Sequence, residues 1–271
     1  MLTNTRLPLL LFGMSSALSH AEPAKQNHAT TISFSSAVNW DFTRLEKLDA
    51  WRNTAVVLRK SLAQWYPTDT SGSAIENGDH AAFRAFFARL AKSEAGGWSI
   101  VYVASHQTRT GLWQFPFDRE QSWPEILADA PGAPKTPRFV IVDACFAEVA
   151  GGDILMRGTG AKGVLFSALR SEIEHEINFR RRFPLDVARR FPAEAKWLRD
   201  SLGADWDGRV SFFGLIWLRA FLTSSHPPRN VEDWNEFFHR CETLAREFRQ
   251  GRGAALATTV RFVTQPPSTA P

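Results

Sequence analysis

Two residues in this sequence pair reactive side chains with positions that suit them to chemistry. Cys145 ends the run Arg138-Phe139-Val140-Ile141-Val142-Asp143-Ala144-Cys145, and His106 follows Ser99-Ile100-Val101-Tyr102-Val103-Ala104-Ser105, thirty-nine residues earlier. A thiol and an imidazole within reach of one another make a nucleophile and a base, the minimum for acyl transfer through a covalent intermediate. Such a pair forms only if the chain brings the two ends together.

The elements that must do so are short apolar runs. Phe139 to Val142 and Ser99 to Ala104 are too short for independent helices and rich in β-branched residues, so both read as strands buried on both faces. Between the first strands, Asp79 offers a helix N-cap, and Ala82, Phe83, Phe86, Phe87 and Leu90 recur at amphipathic helical spacing before Gly96-Gly97. A helix between two strands predicts parallel pairing. If the His106 and Cys145 strands lie side by side in parallel, both residues emerge at the carboxyl edge of the sheet, where open α/β sheets place ligand sites.

Strand-His followed by strand-Asp-Ala-Cys resembles the caspase, metacaspase and legumain group of cysteine peptidases, with His before Cys in the chain. The resemblance covers Thr54 to about Val263 and is specific only at the two strand ends. It implies an α/β fold: a caspase-like three-layer sandwich, with a mostly parallel sheet, helices on both faces and a helical C-terminal part. It also implies His106 and Cys145 as the catalytic dyad and the backbone N–H groups of Gln107 and Cys145 as the oxyanion hole. Asp143, two before the cysteine, maps to an acid lining the first substrate pocket, which would favour Arg or Lys before the scissile bond; the bland reading is a carboxylate that satisfies backbone at a strand end. Three positions depart from the family pattern. Gln107 stands where Gly follows the histidine, and Ala147 and Glu148 stand where Ser-Gly follows the cysteine. A carboxylate at Glu148 close to Cys145 would raise the thiol pKa.

The rest of the chain divides as follows. Residues 1–21 read as a signal peptide: Arg6 is the n-region, Leu7 to Met14 the apolar h-region, and Ser19-His20-Ala21 supports cleavage after Ala21. This predicts a secreted or periplasmic protein with no transmembrane segment. Residues 22–53 read as a polar lead, 54–264 as the peptidase domain and 265–271 as a disordered, Pro-rich tail. Within the domain, Thr54 to Leu58 reads as the first strand and Tyr66 to Gly78 as a loop. A hairpin is expected around Leu112–Phe117 and a short helix over Trp123–Ala128. Gly151 to Gly160 reads as a Gly-rich loop and Gly163 to Ala168 as a strand. Helices are expected over Pro184–Leu202, Phe212–Leu222 and Val231–Phe248, and a last strand over Thr258–Val263.

Composition narrows the function classes. A chain of 271 residues, 44% apolar and 22% charged, is globular rather than disordered. Its net charge is +4, and residues 1–21 hold one Arg and no acid, so the remainder carries +3. No basic block with interleaved aromatics suggests a nucleic-acid groove, and Arg180-Arg181-Arg182 reads as solvated surface. Metal-ligand spacings, phosphate loops and serine-hydrolase elbows are missing from the sequence, so no metal and no cofactor are expected. The expected partner is a peptide or protein substrate. Three readings follow: a cysteine endopeptidase; a degenerate caspase-like domain that binds or scaffolds; and a non-catalytic domain in which Cys145 and Cys241, the only two cysteines, form a disulfide.

Overall fold

The computed structural model describes residues 31–264, apart from 43–44, 46, 67–71, 91–96, 117–119, 131–135, 182–185 and 251–256. The expected signal peptide, the tail and Arg182 lie outside the described residues. At the centre is a six-stranded sheet of β1 (Ile32–Val38), β2 (Ala74–Glu76), β3 (Trp98–Ala104), β6 (Arg138–Asp143), β7 (Gly163–Phe166) and β10 (Arg261–Thr264). The spatial order is β10-β7-β6-β3-β1-β2, and every neighbouring pair is parallel except β10 with β7.

Helices cover both faces, as expected for a caspase-like sandwich. On one face, α1 (Asp49–Trp65), α7 (Phe212–Thr223) and α8 (Val231–Gln250) join α5 (Val187–Arg190) and α6 (Pro192–Leu202) over an apolar cluster that contains Trp217, Trp234, Phe238 and Cys241. On the other face, α2 (His80–Leu90), α3 (Trp123–Ile126) and α4 (Gly152–Thr159) cover Phe83, Phe86, Val101, Val140 and Trp123. The strands alternate between the two clusters: Ile100, Tyr102 and Ala104 face the first, Val101 and Val103 the second. That is the period-two signature of strands buried on both sides.

Four expectations need correction. Thr54 to Leu58 is not a strand but the middle of α1. Its buried positions Ala50, Trp51, Thr54, Ala55, Val57, Leu58, Ser61 and Leu62 repeat at helical spacing over 17 residues, and that longer period outweighs a local β-branched run. The strand it displaces lies earlier, in the segment read as a polar lead. All seven residues of β1 are buried, and it pairs with β3 from Ile32↔Trp98 to Val38↔Ala104. Its serines are small enough for a crowded sheet face, so they mask a central strand. The Tyr66–Gly78 loop contains edge strand β2. Gly151 to Gly160 is not a loop: its glycines mark helix ends, with Gly151 and Gly160 at φ 80° and 66°, while Leu155 and Met156 bury the helix α4 between them.

Elsewhere the expectations and the structure agree more closely. The hairpin expected around Leu112–Phe117 extends further, from β4 (Trp113–Gln114) to β5 (Glu120–Gln121), and α3 follows with a capping box in which Ser122 and Glu125 reciprocate. The single helix expected over Pro184–Leu202 is two, α5 and α6, separated at Phe191 with Pro192 opening the second. A small antiparallel pair, β8 (Glu176–Asn178) with β9 (Arg209–Ser211), has no counterpart in the sequence reading. No helix among the described residues is long and apolar enough to cross a membrane.

Candidate active site

Register puts His106 and Cys145 at the same edge of the sheet. In the parallel β3–β6 pair, Ala104 is opposite Asp143. His106 lies two residues beyond the first and Cys145 two beyond the second, so both leave the same sheet edge on strands about 4.8 Å apart. The His106 ring meets the Phe42 ring edge to face, with centroids 4.8 Å apart, so the loop after β1 fixes the imidazole from one side. Its backbone carbonyl accepts from Gln114 N–H at 2.9 Å, which ties the histidine to the β4 hairpin.

Cys145 is half-buried and free, and Cys241 is free and buried within α8. The two do not pair: one thiol stands at the sheet edge, the other in the helical core. Burial pushes the Cys145 thiol up to about 11; the Glu174 N–H, donating to the sulfur, opposes this, and the Glu174 and Asp143 carboxylates add to it. Cys241, wholly buried, is raised further. Under denaturing, non-reducing conditions two thiols should therefore titrate. In the native protein iodoacetamide should label Cys145 alone, about tenfold faster per pH unit between 7 and 10, since only the thiolate reacts. A count of zero, or a rate already flat at pH 8, would overturn this.

Asp143 does not open onto a surface. It is 0% exposed, and its carboxylate accepts from Trp51 Nε1 at 3.1 Å, Tyr102 Oη at 2.7 Å and Ser211 Oγ at 2.7 Å. Burial pushes its pKa up to about 6, against the pull of those donors. The expected pocket acid is thus covered by an indole and a phenol, and in this structure it serves as an anchor between β6, α1, β3 and β9.

Glu174 ends the stretch Ser167–Glu174, where the resemblance puts the far wall of the first substrate pocket and where Glu172 and Glu174 could add negative charge without ranking as site residues. It is 3% exposed, accepts from Phe213 N–H at 3.1 Å and Thr258 Oγ1 at 2.8 Å, and is pushed well above the usual carboxylate range by burial and by Asp143. Glu172, Glu174 and Glu176 alternate along the chain, and nothing in that alternation says which one turns inward. Glu172 instead clamps β10's approach, accepting from Thr259 N–H and Oγ1 at 2.8 and 2.9 Å and pairing with Arg249. Between the two acids Ile173 is 53% exposed, on a segment whose neighbours touch the nucleophile loop.

Glu148 does not press on the thiol. Its carboxylate pairs with Arg261 and accepts from Arg170 N–H, and it is not among the groups that shift Cys145. Gln107 is buried, and only its neighbours carry the hydrogen bonds of its bridge to Trp113: His106 C=O from Gln114 N–H and Thr108 N–H to Leu112 C=O. The Gln107 N–H is therefore left outside that ladder, as an oxyanion donor requires. Among the described residues no group of three or more His, Cys, Asp or Glu is placed to hold a metal.

No family model and no curated protein matches the sequence. Solved structures do. The crystal structure of caspase-1 from Spodoptera frugiperda superposes with a TM-score of 0.55 at 10% identity, covering 90% of this chain and 93% of that one. A structure of pro-sf-caspase-1 gives 0.54 at 11% identity, covering 89% and 93%. The chain has a caspase-like fold, as the two strand ends led one to expect.

Proposed function

We propose that this chain is a cysteine endopeptidase acting through Cys145 and His106. The observation that carries the reading is the Ala104↔Asp143 register, which gives a thiol and an imidazole the same sheet edge on a caspase-like fold. Cys145 Sγ adds to the scissile carbonyl and its proton passes to His106. The oxyanion is met by the Gln107 and Cys145 N–H groups, and His106 then protonates the leaving amine. Water cleaves the resulting thioester by the same route in reverse.

With the thiol pushed up to about 11, the sulfur stays protonated until a carbonyl arrives, and His106 must take its proton as it attacks. Preference for Arg or Lys before the cut rests on the field of the buried Asp143 carboxylate rather than on a direct contact with it. Secretion or export to the periplasm, with cleavage after Ala21, completes the reading.

The raised thiol is also the observation that favours a second reading, a caspase-like domain that binds without cutting. A fluorogenic peptide panel ending in Arg, Lys, Asn or Asp separates them. Cleavage after Arg or Lys, absent in Cys145→Ala, is the expected result. Cleavage after Asn or Asp alone would remove the electrostatic account of specificity. No cleavage by folded protein with reduced Cys145 would leave the binding reading.

A further inference from the structure

Phe146, the residue after the nucleophile, has φ 54° and ψ 28°. Asn77 and Phe146 are the described non-glycine residues with positive φ. Asn tolerates that region, whereas a bulky aromatic there is strained and persists only where surrounding contacts over-determine it. The contacts are present on both sides of the residue. Its N–H donates to Glu172 C=O at 2.8 Å. Its C=O accepts from Val149 N–H at 2.9 Å and from Gln107 Nε2, also at 2.9 Å. The Gln107 carboxamide is buried, and its Oε1 receives a long 3.4 Å bond from Trp123 Nε1. Arg109, on the same loop as Gln107, lies over the Phe146 ring.

We propose that the Gln107 side chain is a positioning residue: a brace that fixes the loop after Cys145 relative to the loop after His106 and so sets the spacing of the two oxyanion donors. The inference rests on the peptidase reading above and adds to it the reason glutamine stands where the resemblance leads one to expect glycine. Gln107 contributes one proposed donor through its own N–H, and its side chain reaches across to the carbonyl of Phe146, the residue next to Cys145, which contributes the other. Covalent geometry on one side and a 2.9 Å hydrogen bond on the other hold the two donors in one frame. Oxyanion stabilisation depends on donors within about 2.7–3.1 Å of where the oxygen develops, and a displacement on the order of 1 Å costs about a hundredfold. The strained Phe146 backbone is what such a frame holds in place.

Two variants test the brace. Gln107→Met keeps the length and fills the same space but removes both carboxamide bonds; Gln107→Gly restores the backbone freedom and removes the side chain. The expected result is a fall in kcat of about 10- to 100-fold in both, with KM within about threefold of wild type. The rate at which iodoacetamide alkylates Cys145, a displacement that develops no oxyanion, should stay within about twofold of wild type. Unchanged kcat in Gln107→Met, or a higher kcat in Gln107→Gly, would overturn the brace while leaving the peptidase in place. A parallel loss of kcat, substrate binding and alkylation would also overturn it, since it would make Gln107 an ordinary packing residue. Failure of wild-type protein to cleave any peptide would remove the peptidase reading, and this inference with it.

Discussion

Cys145→Ala should abolish peptide cleavage, His106→Ala should lower kcat by about 10²- to 10⁴-fold, and the double variant should be no worse than Cys145→Ala alone. The non-additivity is the informative part. If His106 acts only by receiving the thiol proton and delivering it to the leaving amine, it has nothing to do once the sulfur is gone. The need for a base is acute here, because burial and two carboxylates hold the thiol up at about 11. At neutral pH about one Cys145 in ten thousand would be a thiolate without help. Neither variant should unfold the protein. Cys145 is only half-buried, and the edge-to-face ring contact with Phe42 that His106→Ala gives up is worth about 0.5–1.5 kcal/mol. Steady-state kinetics on the peptide panel, with urea midpoints alongside, checks all three. Full residual activity in His106→Ala would mean that some other group takes the proton.

The two strand ends were legible because β3 and β6 are continuous apolar runs buried on both faces, and such runs stand out against any background. The helix between Asp79 and Leu90 and the parallel register it implies were legible for a similar reason, a strong apolar stripe. The central strand β1 was not. Ser33, Ser35 and Ser36 make it look like a polar lead, and burial of small hydroxyls against a helix layer is a tertiary fact without a local signature. The same holds within the site. His106 and Cys145 could be named from chemistry and position, but the roles of Asp143, Gln107 and Glu174 depend on which neighbours close over them. Asp143 is covered by Trp51, which lies in a segment whose helix was hidden behind Thr54-Ala55-Val56-Val57-Leu58. Gln107 looked like a defect in an oxyanion loop because its partner, the Phe146 carbonyl, turns toward it only through a left-handed backbone that sequence does not announce.

Asp143→Ala should destabilise the fold by about 3–5 kcal/mol at pH 4, and by distinctly less at pH 7. Two opposed effects set that dependence. Removing the carboxylate strands three buried donors, on Trp51, Tyr102 and Ser211, each costing about 1–3 kcal/mol when left unpaired. Tyr102 remains a donor throughout, since burial and the adjacent carboxylate keep its phenol well above its ordinary value. Removing the carboxylate also removes a buried charge. Burial raises Asp143 from 3.8 to about 6, so the native state holds its proton more tightly than the unfolded chain does. The stability this contributes is fully present below about pH 4 and is lost as pH rises through 6, on the order of 3 kcal/mol in all. Glu174, raised in the same direction partly by the Asp143 charge, is raised less in the variant, which narrows the gap in the same sense. The gap between wild type and Asp143→Ala should therefore narrow by about 3 kcal/mol from pH 4 to pH 7, as read by urea unfolding at the two pH values. A gap that widens with pH would mean the three donors outweigh burial and hold Asp143 below its ordinary value. In that case the carboxylate would be a conventional ionised anchor. If the gap narrows as expected, Cys145 in the variant should also alkylate faster at neutral pH, because one of the two charges that keep its proton in place has gone.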